Sequence, residues 1–135
     1  MEQEVSDRLL DQRLRNRMME ELLCLVDWEE ALEWGAGEYF NNFFDFFPDK
    51  APLYPNTALS DEESDALAAV LNLVDAAAKS TSQHVTADEL ITSGWPQKIK
   101  PAAAAALALM SRRGRFSEEH EEAVPSTCGP WPKVG

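Results

Sequence analysis

The 135-residue sequence predicts an all-α fold, a compact bundle of about five to seven helices. One helical domain is expected over residues 1–124, followed by an extended or disordered tail over 125–135. Three observations predict this. Apolar residues recur at three- and four-residue steps, the spacing of one helix face. Helix-start signals with a reciprocal acid three positions on stand at Ser60 and Thr86. No stretch shows four or more alternating β-branched residues, as a half-buried strand would. Hydrophobic residues make up 44% of the chain, which is enough for one core.

The first helix is expected over residues 4–26. Val5, Leu9, Leu10, Leu14, Met18, Leu22, Leu25 and Val26 form its buried stripe, while Arg8, Asp11, Arg15 and Glu21 fall on other faces. Glu4 precedes Arg8, and Asp11 precedes Arg15, by four residues, the favourable order for ion pairs along a helix. Asp27, three before Glu30, reads as a capping box. It opens a short helix over 28–34 with Gly35 as its stop, unless the first helix runs straight through to Trp34. The aromatics Tyr39, Phe40, Phe43, Phe44 and Phe47 fit a helical stripe ended by Pro48. Residues 48–59, with Pro48, Pro52 and Pro55, form a loop.

Ser60 and Glu63 form the strongest local signal. Asp61 and Glu62 add negative charge where the helix dipole is positive. This helix runs to about Lys79 and buries Leu67, Val70, Leu71, Val74 and Ala78. Thr86 and Glu89 start a short helix ended near Gly94. Trp95-Pro96 opens the next segment, and Pro101 is placed in the first turn of a helix through Met110 to Arg113, with Gly114 as its stop. The five alanines at 102–106 permit close helix approach. Ser117 is placed to cap a last turn over 118–123.

The formal net charge is −12. That balance argues against phosphate-backbone binding and against anionic membrane surfaces, both of which need a positive face. The acidic Met1–Val5 segment lacks the apolar core of a signal peptide, and Cys24 and Cys128 form neither a metal-ligand spacing nor a disulfide framework. A cytoplasmic protein is therefore expected. The charge is unevenly placed. Residues 94–116 hold five bases, Lys98, Lys100, Arg112, Arg113 and Arg115, and no acid; these are expected to pair with the acidic helices within the molecule, with a small anion or nucleic-acid site as the alternative. The window from Glu20 to Asp49 holds nine acids, no base and eight of the twelve aromatics. Such density of one sign repels itself, and a basic partner offsets that repulsion.

Enzyme signatures are missing. The six glycines form no phosphate-binding fingerprint, and no Gly-x-Ser-x-Gly elbow occurs. His84 and His120 are preceded three positions earlier by Thr81 and Ser117, so no Glu-x-x-His motif exists. No cofactor and no metal are expected. Cys24, within a leucine-rich stripe, reads as an inert core thiol. Phe40, Phe43, Phe44 and Phe47 read first as core, whereas Trp28, Trp34 and Tyr39 are candidate interface anchors.

In charge and size the chain resembles small acidic immunity proteins, of the contact-dependent or colicin type, that neutralise secreted toxins. No motif carries the likeness. It implies a non-enzymatic binding protein, monomeric or homodimeric when free, whose partner is a basic toxin domain such as a nuclease. The partner-binding residues expected on this reading are Trp28, Glu29, Glu30, Glu33, Trp34, Glu38, Tyr39 and Asp45. Two alternatives stand beside it. One is a regulatory adaptor or phage-type inhibitor of a host protein; the other is a small helical enzyme using a carboxylate.

Overall fold

In the computed structural model, residues 6–34, 56–81 and 84–125 are described. Five α-helices form among them: α1 (Asp7–Val26), α2 (Trp28–Ala31), α3 (Asp61–Ser80), α4 (Ala87–Ser93) and α5 (Trp95–Arg113), with a 3-10 turn over Leu32–Trp34. The alanine-rich α5 packs along both α1 and α3 and makes a single compact unit of them. The expected all-helical class is what the chain adopts. The aromatic stripe at 39–47, the prolines of the 48–55 loop and the tail beyond Pro125 lie outside the described residues.

One core joins the helices. Met18, Met19, Leu22 and Leu25 of α1 meet Leu67, Val70, Leu71, Val74 and Ala77 of α3, Leu90 of α4, and Ile99, Ala103, Ala106, Leu107 and Met110 of α5. Each of the leucines contributes roughly 1.5–3 kcal/mol by leaving water. In α3 the buried alanine is Ala77, and the expected Ala78 lies half-buried at the edge. Ala103 and Ala106 are fully buried, and their short side chains permit the close helix approach that the sequence predicts.

Local signals place most helix ends. The Ser60 hydroxyl accepts from the Glu63 amide at 3.1 Å, and Glu63 Oε1 accepts from the Ser60 amide at 3.0 Å. Thr86 and Glu89 repeat this at 3.1 and 3.2 Å. Both expected capping boxes are therefore formed. Gly94 ends α4 with φ +83° and at once opens α5. A Cβ there would meet open space, so the left-handed backbone alone requires glycine.

Four expectations about the elements are corrected. α1 begins after Ser6, whose hydroxyl accepts from the Leu9 amide at 3.1 Å. Asp27 makes no side-chain cap. Its φ of −93° and ψ of 45° fall outside the extended geometry that lets a carboxylate fold over the next turn, and its own amide closes α1 on Leu23 O at 2.8 Å. α5 begins at Trp95, with Pro96 in its first turn. Pro101 therefore lies inside the helix, exposed, so the carbonyl deprived of its amide partner is on the side that water can reach. Residues 118–123 form no helix. Ser117 Oγ does accept from the amides of Glu119 and His120, at 3.1 and 3.2 Å, but the chain turns away along α1.

Candidate functional site

Two charged regions share α1, and their chemistry is opposite. The first is at its N-terminal half. The expected stripe puts Leu9, Leu10 and Leu14 inside and Arg15 outside. The structure reverses this: Leu10 is 45% exposed, Leu9 and Leu14 are half-buried, and Gln12, Arg15 and Asn16 are buried. The expected Asp11–Arg15 ion pair is replaced. Asp11 Oδ2 accepts from the amide and hydroxyl of Thr57, at 2.9 and 2.8 Å. The expected partner of Arg8, Glu4, lies outside the described residues, and Arg8 donates to Glu122 O at 2.6 Å and to Thr57 O.

Arg15, 0% exposed, donates to Glu63 Oε2 at 2.8 Å and Glu63 Oε1 at 3.3 Å. It also donates to Met110 O at 3.0 Å, Gly114 O at 2.7 Å and Met19 Sδ at 3.6 Å, so all five of its N–H donors are used. Two of those acceptors are carbonyls at the C-terminal end of α5, where positive charge is favoured. Glu63 is itself 1% exposed and also accepts from Arg113 at 2.5 Å. The carboxylate that caps α3 thus ties α3 to α1 and to the end of α5. Phe116 lies against this network, with the guanidiniums of Arg8, Arg15 and Arg113 at 5.1, 5.2 and 5.6 Å from its ring centroid. Arg115 lies 3.9 Å from Glu20 and 3.7 Å from Glu118. Arg113 and Arg115 accordingly pair within the molecule, as the sequence reading expects, while Lys98, Lys100 and Arg112 are exposed.

The burial of Gln12, Arg15, Asn16 and Glu63 in one polar network is not among the expectations from sequence, although Glu63 was expected as a cap and Arg15 as an exposed ion-pair partner. A signal existed: Arg8, Gln12, Arg15 and Asn16 make one polar stripe, and its two amides can donate and accept at once. Treating every polar residue of a helix as solvent-facing hides it.

The second region lies at the other end of α1, around α2. Trp28, Glu29, Glu30 and Glu33 line an open groove of about 660 Å³ together with Ile91 of α4. Trp28 and Ile91 are half-buried and pack on the core, which supplies an apolar floor. Glu29, Glu30 and Glu33 are exposed, and among the described residues none of them makes an ion pair. Glu29 and Glu33 stand four residues apart with like charge, a mildly destabilising pairing. The last turn of α1 holds no base, although its dipole favours one there.

The negative field reaches Cys24. This residue is exposed, contrary to the expected core position, because it falls between the buried Leu22 and Leu25 on the outer side of α1. Its thiol is pushed above the ordinary range, first by partial desolvation and then by Glu21, Asp27, Glu20 and Glu30. It is therefore held as the unreactive thiol at neutral pH.

Four of the eight predicted binding residues are thus brought together in one groove: Trp28, Glu29, Glu30 and Glu33. Trp34 closes the adjoining 3-10 turn, and Glu38, Tyr39 and Asp45 lie outside the described residues. Among the described residues, no group of three His, Cys, Asp or Glu side chains could hold a metal ion, and no helix is long and apolar enough to cross a membrane. No protein-family model, curated protein or solved structure matches this chain.

Proposed function

We propose that the protein is a small acidic binding protein of the immunity class, which neutralises a basic toxin domain such as a nuclease by direct contact in the cytoplasm. One observation carries the reading. Among the described residues, the acids of the groove have no ion-pair partner, and they stand beside an apolar floor of Trp28 and Ile91, whereas the buried Glu63 is paired with both Arg15 and Arg113.

The physical logic is direct. A half-buried tryptophan supplies contact area at small entropic cost, and charged residues at its rim select and accelerate the encounter. A nuclease domain is basic because it must hold phosphates, so Glu29, Glu30 and Glu33 would meet its Lys and Arg side chains. Held together with no counter-charge among the described residues, these carboxylates repel one another, and a cationic surface removes that cost.

Affinity capture by the tagged full chain from its native cytoplasm tests the reading. A basic nuclease-type domain should be recovered near one to one at low salt. It should be weakened at about 0.5 M salt, where screening lengths fall to a few ångströms. The double variant Glu30→Lys/Glu33→Lys should lose most of that capture while keeping its fold. Recovery of a host regulator or polymerase would replace the toxin partner with an adaptor role. Capture indifferent to both salt and charge reversal would remove the groove from the interface.

A further inference from the structure

We propose that residues 114–125 form a latch, closed over the N-terminal half of α1, that opens at Gly114 as one unit while the helical core stays folded.

The latch has no helix of its own, yet much of its backbone is held by side chains. Seven of its carbonyls, those of Gly114, Phe116, Ser117, Glu118, His120, Glu122 and Ala123, accept from side chains of α1: Arg15, Asn16, Gln12, Arg13, Gln12, Arg8 and Arg8 in turn. Two amides point back the same way. Phe116 donates to Asn16 Oδ1 at 3.3 Å and Glu122 to Gln12 Oε1 at 2.8 Å. The donors at 8, 12, 13, 15 and 16 lie along one side of the helix, so α1 grips an extended chain chiefly through its backbone.

This grip is separable from the core. The cluster that joins α1, α3, α4 and α5 contains no residue of 114–125. The latch buries Phe116 and Pro125 but leaves Val124 70% exposed. Lifting it exposes Phe116 and Pro125 but leaves the cluster between the helices intact, and water can replace the hydrogen bonds it gives up. A hinge stands at the required place. Gly114 ends α5 with φ +94° and ψ −161°, a backbone that glycine adopts without penalty, and its amide makes the last helical bond, to Met110 O at 3.3 Å. The open form would present Arg8, Gln12, Arg13 and Asn16 as a donor-rich face for an extended peptide. The inference is independent of the acidic groove.

Hydrogen exchange of the full chain tests it. In the wild-type protein, the amides of Phe116 and Glu122 should exchange at least about tenfold faster than those of Leu107 and Met110, with little dependence on denaturant, as a sub-global opening does. Each variant is then read at the amide held by the other residue. Gln12→Ala should raise exchange at Phe116, and Asn16→Ala should raise it at Glu122, with Leu107 unchanged. Equal rates and equal denaturant dependence at Phe116, Glu122 and Leu107 in the wild-type protein would overturn the latch, whether or not the variants fold. So would variants that alter only the amide each residue holds directly, since the segment would not then move as a unit.

Discussion

The two ends of α1 treat charge in opposite ways. Its N-terminal half buries Arg15 against Glu63 and aims Arg8, Gln12, Arg13 and Asn16 at the backbone of residues 114–123. Its C-terminal end, with α2, leaves Glu29, Glu30 and Glu33 in the open around Trp28. In the first region the buried charges are paired with one another, Arg15 and Arg113 with Glu63, and the result is architecture. In the second, like charges are gathered without ion-pair partners among the described residues, and only the first-turn position of Glu29 and Glu30 in α2 favours them locally. The contrast separates residues retained for stability from residues available for recognition.

The largest effect should come from breaking the buried network. Glu63→Ala would leave Arg15 buried without its counter-charge and would also remove half of a capping box. A destabilisation of about 3–5 kcal/mol is expected, read as a fall in the denaturant midpoint. A loss below about 1 kcal/mol would mean that water already shares the site, and the first half of the contrast would fail.

The acidic groove should respond in the opposite sense. Neutralising Glu29, Glu30 and Glu33 together to Gln should leave stability unchanged within about 0.5 kcal/mol, or raise it slightly, because the repulsion removed offsets the small dipole contribution of Glu29 and Glu30 at the start of α2. Thermal unfolding at low and high salt checks this. A marked destabilisation would show that these carboxylates belong to the architecture after all.

The smallest effect is local. With its thiol pushed above the ordinary range, Cys24 carries little thiolate near pH 7, and a thiol-alkylating reagent should react more slowly with the folded chain than with the denatured one. The rate should rise as pH passes the raised value. Glu21→Gln and Glu30→Gln should each shift that rise modestly to lower pH, modestly because desolvation is the larger cause. A profile indifferent to both variants would mean that the acidic field is screened out at this point.

Much of the fold was legible because its signals are short. Ser60 with Glu63 and Thr86 with Glu89 act within one turn, and Gly94 and Gly114 stop helices by their own backbone freedom. The candidate site was half legible. Nine acids without a base over residues 20–49 pointed to Glu29, Glu30 and Glu33, and Trp28 was marked by its place among them. Ile91 was not, since it reaches the groove from α4, about sixty positions away in the chain.

The helical class, the capped starts of α3 and α4, and the separation of charge were determined by the sequence alone, because each depends on neighbours within a few residues or on composition. The stripe of Met18, Leu22 and Leu25 is buried as the periodicity predicts, but which face of the N-terminal half of α1 is buried was decided only by the tertiary structure. The 114–125 segment makes no helix and needs donors for its carbonyls; those donors stand on a helix about a hundred residues earlier and meet it only once the chain has folded. Polar residues were thereby drawn inside and a leucine was left facing water; the polar stripe of Arg8, Gln12, Arg15 and Asn16 is visible along α1, but the backbone that makes its burial favourable is not.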